Sequence, residues 1–380
     1  MFLTETQLGV QALAREFVQK DLNPVLSVLE TGDLNTLKAM WQRMADIGLT
    51  GLPFPEEYGG SAVDSLSYFL VLEEIAKASS ALATSLSVHV SLGGLPILYY
   101  GTDDQKARYL PDVVQAKKIG AFALTEPNAG SDAGSGLTKA EKNGSGYVLN
   151  GSKLFITNAF IASFFVSTAR TNREISGAKG LTAFLVDTET PGLVIHEGDE
   201  KMGLKGSDWG ELTFEDCKVP EAQRLSEEGV GFKIFMKSLD IGRISIGAIS
   251  LGVAEACLDA SLEYAKQRYQ FGKTLSEFQA IQMKLADMAM QIEAARSLVY
   301  SAARLKEAGL PFSKEASMAK CYASEMCNAC AREAVQIFGG YGYTKDFPVE
   351  RYFRDARVMS LFEGTSQIQR TVIAKHLLKG

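Results

Sequence analysis

Near the C-terminus, Met359-Ser360-Leu361-Phe362-Glu363-Gly364-Thr365-Ser366-Gln367 places one carboxylate in an otherwise uncharged run. Apolar residues precede Glu363, and a glycine with three hydrogen-bonding side chains follows it. Desolvation in such surroundings raises a carboxyl's pKa and suits it to take a proton near neutral pH. The same residues also read as a helix start, with Glu in the first turn and Thr or Ser as its cap. Other chemistry is sparse. The three histidines, His89, His196 and His376, lie far apart and form no H-E-x-x-H, so no metal site and no Ser-His-Asp triad is supported. Cys327 and Cys330 form a C-x-x-C within a strongly helical segment, with Cys321 upstream, and read as small core residues. Chemistry beyond a lone base therefore falls to a cofactor. No G-x-G-x-x-G follows a strand, and Gly272-Lys273-Thr274 lacks the upstream glycine of a phosphate loop, so a nucleotide cofactor would be held some other way.

The elements that must position this carboxylate divide the chain into three. Its 380 residues are 46% apolar and 22% charged, an ordinary globular composition with room for about two or three domains. A net charge of −6 gives no basic footprint, which argues against a nucleic-acid partner. No apolar run reaches the roughly 18 residues that span a bilayer. Met1 to Val10 has no leader pattern, so a cytoplasmic location is expected, and a mature mitochondrial matrix form would read the same.

Residues 1–118 read as helices. Thr4-Glu5-Thr6-Gln7 is a capping box, Leu37 to Ile47 is amphipathic, and Leu66 to Ala78 and Leu82 to Leu98 are more apolar. Asp103 to Val114 should be bent or divided by Pro111. Residues 119–226 carry β signals, with Asn143-Gly144 and Asn150-Gly151 as hairpin turns, and suggest a small barrel or sandwich. Residues 227–380 return to helix. Ile234 to Lys266, Ser276 to Ala308, Ser313 to Phe338 and Thr365 to Leu378 suggest a four-helix bundle, with a second capping box at Ser276-Glu277-Phe278-Gln279.

Four more stretches complete a pattern. T-E-P-N-A-G-S-D at 125–132, F-I-T-N at 155–158, Q-R-Y-Q-F-G at 267–272, Q-I-F-G-G-Y-G at 336–342 and F-E-G-T-S-Q-I-Q at 362–369, in this order, resemble the acyl-CoA dehydrogenase family, and its short-chain members most. Alone, each reads as a surface turn, a strand end or a helix stop. The resemblance covers almost the whole chain. It implies an α+β multidomain fold with an N-terminal α-helical domain, a central β-barrel and a C-terminal four-helix bundle. It implies FAD, a homotetramer built as a dimer of dimers, and electron-transferring flavoprotein as electron acceptor. Phe122, Leu124, Thr125 and Ser131 would line the flavin ring, and Phe155, Ile156 and Thr157 would cover its other side. Arg268 would pair with the diphosphate, which a guanidinium fork suits. Phe271 would belong to the same cofactor set, and Gln279, Gln336, Gly339 and Gly340 would come from a neighbouring subunit. Thr365 and Gln367 would hold the cofactor beside the base.

By the same resemblance, Glu363 would remove the proton α to the thioester carbonyl while the β-hydrogen leaves as hydride to flavin N5. The Glu363 N–H would steady the enolate oxygen. Ser131, Asp240, Arg243 and Gly364 would meet the acyl-CoA, although Asp240 and Arg243 also read as an exposed helix pair. Departures from the family pattern discriminate within it. Phe155 stands where the family commonly has Trp. Gly242 is no acid, which disfavours the isovaleryl type, and Ala83 stands where glutaryl types carry Arg. His89 and Ser91 are unusual polar choices for a pocket helix and read either as acyl-group contacts or as satisfied core polars. A branched or cyclic acyl-CoA substrate and an oxygen-using acyl-CoA oxidase are the alternatives; peroxide formed during turnover would identify the oxidase.

Overall fold

The computed structural model describes residues 2–378, with helices at both ends of the chain and strands between. α1 (Glu5–Phe17) opens on Thr4, whose hydroxyl accepts the Gln7 N–H while the Gln7 side chain accepts the Thr4 N–H, the expected capping box. α2 (Leu26–Leu29), α3 (Leu34–Asp46) and α4 (Ser65–Ala78) follow; Asp33 and Asp64 cap the last two. α5 (Ser80–Ser87) runs into α6 (Leu95–Tyr100) through a widened, π-helical segment at Val88–Gly94. Such widening recurs at functional sites. Here it brings Gly93 so close to Gly120 that a Cβ on Gly93 would stand 3.0 Å from the Gly120 Cα. α7 (Asp103–Val114) contains Pro111 without being divided by it.

The middle of the chain forms β1 (Gly120–Ala123), β2 (Lys139–Asn143), β3 (Gly146–Thr157), β4 (Phe164–Arg170), β5 (Leu181–Asp187), β6 (Leu193–Glu197), β7 (Trp209–Pro220) and β8 (Arg224–Leu225). The order β6-β7-β3-β2-β4-β5-β8, with β1 also on β4, leaves β6 and β8 as unpaired ends. The expected barrel is therefore an open sheet. β8 is only two residues long and pairs with β5 alone, so no ladder joins the ends, and β2 and β4 meet only at Lys139 and Arg170. Both halves of the sheet still share one core that includes Ala121, Leu149, Phe165, Phe184, Leu212 and Phe214. Bulges interrupt the β3–β7 pairing, one between Lys153 and Ile156. Phe155, inside that bulge, has φ +60° and turns its ring outward.

The third part contains α8 (Gly231–Gln267), a short hairpin of β9 (Tyr269–Gln270) and β10 (Lys273–Thr274), then α9 (Gln279–Glu307), α10 (Ser313–Phe338), α11 (Val349–Met359) and α12 (Ser366–Leu377). The second capping box lies two residues earlier than expected. Thr274 and Glu277 make it, opening a short 3₁₀ turn, and α9 starts only at Gln279. α11 is an additional helix, docked through Val349, Ala356 and Met359. One core joins both helical ends of the chain, with α4, α5, α8, α9 and α10 all contributing. The helices at Ser80–Tyr100 and Gly231–Gln267 are apolar and long enough to cross a membrane, and they are buried here inside the protein. Arg296 of α9 pairs with Glu73 of α4 and Glu255 of α8 across the same junction.

α8 meets α4 at Gly252, where an added Cβ would collide with the Glu73 carbonyl and the Ala76 Cβ. Both obstacles belong to a buried helix and have little freedom to yield. Gly252→Ala is expected to destabilise the protein by about 1–3 kcal/mol. Thermal unfolding measures this, and an unchanged Tm would show that α4 can move aside.

Candidate active site

The turn between α11 and α12 presents Glu363. Its φ is +51° and that of Gly364 is +91°, so two successive residues adopt the left-handed region, a strained choice for a glutamate. The strain is held from behind. Gln369 Nε2 donates to the Glu363 carbonyl at 3.0 Å and to the Gly364 carbonyl at 2.9 Å, while Lys320 Nζ of α10 donates to the Gly364 carbonyl at 2.8 Å. Thr365 caps α12, its hydroxyl accepting the Ile368 N–H at 3.3 Å. Glu363 thus stands just before the helix rather than in its first turn. No acceptor among the described residues takes the Glu363 N–H.

The residue is half-buried, but its carboxyl is the hidden end. Oε2 is closed to solvent and has no hydrogen-bond partner. It lies against Gly242 of α8, where a Cβ would collide with it. Burial pushes the Glu363 carboxyl up to about 7, against the opposing pull of the Lys320 and Arg243 charges. A group in this state can accept a proton near neutral pH.

Charged and polar neighbours surround this point. Arg243 and Asp240 form a 2.7 Å pair in which both side chains are buried, unlike the exposed pair that also fitted the sequence. Ser313 donates to Asp240 at 2.9 Å, and Arg243 Nε is buried with no acceptor. Burial raises the Asp240 carboxyl and lowers the Arg243 guanidinium, each opposed by its partner. Tyr68 and Ser91 are 3.2 Å apart and Ser91 and Ser245 3.1 Å, a chain of buried hydroxyls linking α4, the widened turn and α8. His89 spends both nitrogens. Nε2–H donates to the Val113 carbonyl, and Nδ1 accepts the Gly120 N–H, each at 3.0 Å. This fixes the neutral tautomer, and burial pushes the imidazole down to about 4. His89 is therefore a satisfied core residue that ties β1 to the helices.

Two of the motif segments, the loop at 125–132 and the strand end at 155–158, meet where the loop after β1 crosses β3. Phe122 stacks on Phe235 of α8, with centroids 4.1 Å apart. Leu124 packs with Val88, Leu92 and Leu239. The Thr125 carbonyl accepts the Leu154 N–H at 2.9 Å, joining the loop after β1 to β3. Ser131 is exposed in that loop. Glu126 and Lys153 form a buried 2.7 Å pair, and Glu126 also accepts the Leu137 and Thr138 N–H groups. Phe155 lies stacked and exposed on Trp209, with centroids 5.1 Å apart; Ile156 is buried and Thr157 pairs with Trp209 across the strands. Asn158, with φ +68°, bonds both the Ser85 hydroxyl and the Ser85 carbonyl.

A cleft of about 500 Å³ lies at the end of α8. Arg268, Gly339, Gly340 and Tyr341 line it together, with the Arg268 guanidinium 5.4 Å from the Tyr341 ring centre. No carboxylate pairs with Arg268 among the described residues. The cleft shares no lining residue with the Glu363 turn. Gln279 and Gln336 are exposed near it in sequence but do not line it, and Phe271 is 93% exposed at the hairpin. An aromatic shelf and an unpaired guanidinium beside glycines are groups that could hold a flavin and its diphosphate. Lys320, Gln369, Lys153, Asn158 and Trp209 escaped the sequence reading as site residues. Of these, only Asn158 and Gln369 lay inside quoted motifs. No group of metal-ligating side chains forms among the described residues.

Comparison with known proteins gives the same family throughout. The acyl-CoA dehydrogenase N-terminal, middle and C-terminal domain models match residues 4–117, 121–217 and 229–378. The short-chain-specific acyl-CoA dehydrogenase of Megasphaera elsdenii is 46% identical over 381 residues, covering 99% of each chain. The structure of butyryl-CoA dehydrogenase from that organism is 46% identical, with a TM-score of 0.96 over 100% of this chain and 99% of that one. A chain from the structure described as the electron transferring flavoprotein of Acidaminococcus fermentans is 45% identical, with a TM-score of 0.97 over the whole of both chains. An acyl-CoA dehydrogenase from Bacillus anthracis, complexed with FAD, is 34% identical, with a TM-score of 0.94 over 99% of this chain and 67% of that one. With family models over both helical ends and the sheet, and full-length relatives 46% identical, this chain belongs to the acyl-CoA dehydrogenase family and is an FAD-dependent enzyme of it.

Proposed function

We propose that the protein desaturates a short acyl-CoA thioester to its 2-enoyl-CoA, with Glu363 as the base. The observation that carries this is the buried, unpartnered Glu363 carboxyl with its pKa raised to about 7. Glu363 takes the proton from the carbon α to the thioester carbonyl, and its free backbone N–H donates to the carbonyl oxygen as negative charge builds there. Bound FAD supplies the acceptor for the β-hydrogen and its electron pair.

Phe122, Leu124, Thr125 and Ser131 are assigned to one side of the flavin, and Phe155, Ile156 and Thr157 to the other. The exposed ring of Phe155, backed by Trp209, supports that placement. Arg268 is assigned to the diphosphate because its charge has no carboxylate partner. Phe271, Gln279, Gln336, Gly339 and Gly340 are exposed, as residues reaching a neighbouring subunit's cofactor in a homotetramer would be. Gln367 is exposed too, while Thr365 already spends its hydroxyl as a cap, which limits what it can offer the cofactor. Ser131, Asp240, Arg243 and Gly364 are assigned to the acyl-CoA, with the unpartnered Arg243 Nε as an available donor. The similarity to the Acidaminococcus chain supports an electron-transferring flavoprotein as acceptor.

Glu363→Gln is expected to keep FAD and to lose about 10²- to 10⁴-fold in turnover. Wild-type rates in that variant would remove Glu363 from the chemistry. In the native enzyme the carboxylate is the active form, so kcat/KM should fall as pH drops through about 7. A profile that stays flat down to pH 5 contradicts the assignment. Gly242→Ala should push the carboxyl out of line and cost on the order of 10² in turnover with flavin retained. Arg268→Ala should lower the flavin absorbance per mole of purified protein, and full occupancy would return Arg268 to a structural role.

A further inference from the structure

Lys320 is the least expected group near the base. It lies on α10 with its side chain wholly buried, and a buried ammonium is costly unless it is matched. Its only hydrogen-bond acceptor among the described residues is the Gly364 carbonyl, at 2.8 Å. That carbonyl belongs to the second of two left-handed residues and already accepts Gln369. One contact to a neutral carbonyl does not repay burial of a full charge. The compensating charge is the Glu363 carboxyl on the same turn, which in turn has no donor of its own.

Resting on Glu363 as the base, we infer that Lys320 is a positioning residue for it. Its ammonium ties down the Gly364 carbonyl, so that the Glu363 N–H and side chain face away from α10, and it keeps a positive charge behind the carboxyl. The charge favours the carboxylate over the neutral acid, so the base stays competent despite its burial. The surroundings agree, since burial lowers the Lys320 ammonium to about 8 while Glu363 pulls it back up. The other charged and titratable groups around the pair are Arg243 and Asp240 on α8, Tyr68 on α4, Cys321 and Glu325 on α10, and Arg370 on α12. Arg370 is occupied by Glu325 at 2.7 Å, and Arg243 by Asp240, so Lys320 is the cation of this set without a carboxylate bonded to it.

The test compares Lys320→Met, Lys320→Gln and Lys320→Arg in the FAD-loaded enzyme. The readouts are flavin content, thermal unfolding, and kcat and KM for a short acyl-CoA against pH. Lys320→Met and Lys320→Gln should retain flavin and move the acidic limb of kcat upward by about one pH unit, lowering kcat at pH 7 about fivefold, with KM little changed. Lys320→Arg, which keeps the charge, should leave the limb near its native position. An unmoved limb in Lys320→Gln overturns the inference, and so does an equal displacement in Lys320→Arg. Should Lys320→Met fail to fold, the Gln and Arg pair decides alone, since Gln keeps a donor for Gly364 and lacks only the charge. An active Glu363→Gln would sink the base assignment itself. An inactive Glu363→Gln with an unmoved Lys320→Gln limb would sink only the role given to Lys320.

Discussion

A carboxyl oxygen that reaches neither water nor a hydrogen-bond donor is the constraint around which this protein is arranged. Leaving it there costs free energy, and two features make the cost bearable. Proton uptake is easier there, because burial raises the pKa to about 7. The charges of Lys320 and Arg243 also favour the carboxylate without bonding to it directly. The space itself exists because α8 has glycine at position 242. Any side chain there would occupy the carboxyl's place. The strained backbone of Glu363 follows from the same demand. The left-handed turn sets the side chain against α8, and Gln369 and Lys320 hold the carbonyls of Glu363 and Gly364.

How much of this was legible in the sequence depends on range. Local signals read well. The Thr4 box, the Asn143-Gly144 turn and the long apolar helices fall where spacing put them, whereas Asn150-Gly151, expected as a second hairpin turn, lies inside β3 at a bulge in its pairing with β7. The uncharged surroundings of Glu363 implied desolvation and the carboxyl is desolvated, although the contact that hides it is Gly242 of α8 across the fold, and its chain neighbour Leu361 is exposed. Competing local signals read less well. Thr274 and Ser276 both offer a hydroxyl three residues before an acid or amide, and only the real turn geometry selects Thr274. α11 was missed although Val349, Ala356 and Met359 recur at helical spacing, because its remaining positions are mostly charged. Long-range partners were out of reach. Nothing in the sequence near Lys320 points at Gly364, nothing near Trp209 points at Phe155, and the burial of Asp240 and Arg243 depends on α10 lying across α8. Barrel closure was misjudged for the same reason. Strand number follows from turns, whereas closure depends on whether the two end strands find each other, and β8 is too short to do so.

An open sheet raises the question of what keeps its helix-facing strands in register with the Glu363 carboxyl, carried by another part of the chain. Closure would have done this by pairing; here individual side chains do it. His89 joins the widened turn after α5 to the first residue of β1 through the Gly120 N–H and to α7 through the Val113 carbonyl. Asn158 joins the end of β3 to α5 through Ser85. Glu126 and Lys153 fasten the loop after β1 onto β3, using a buried ion pair whose lone pairs are also taken by backbone N–H groups. Each joint is satisfied on both sides, which is the condition under which buried polar groups rigidify a structure rather than weaken it. The first two lead to the helices that share a core with α8, the helix against which Glu363 packs, and the third holds the loop to the sheet itself. The distance between the sheet's aromatic shelf and the Glu363 carboxyl is thus set by one continuous helical core. The sheet's free edges at β6 and β8 can stay unpaired without loosening the site.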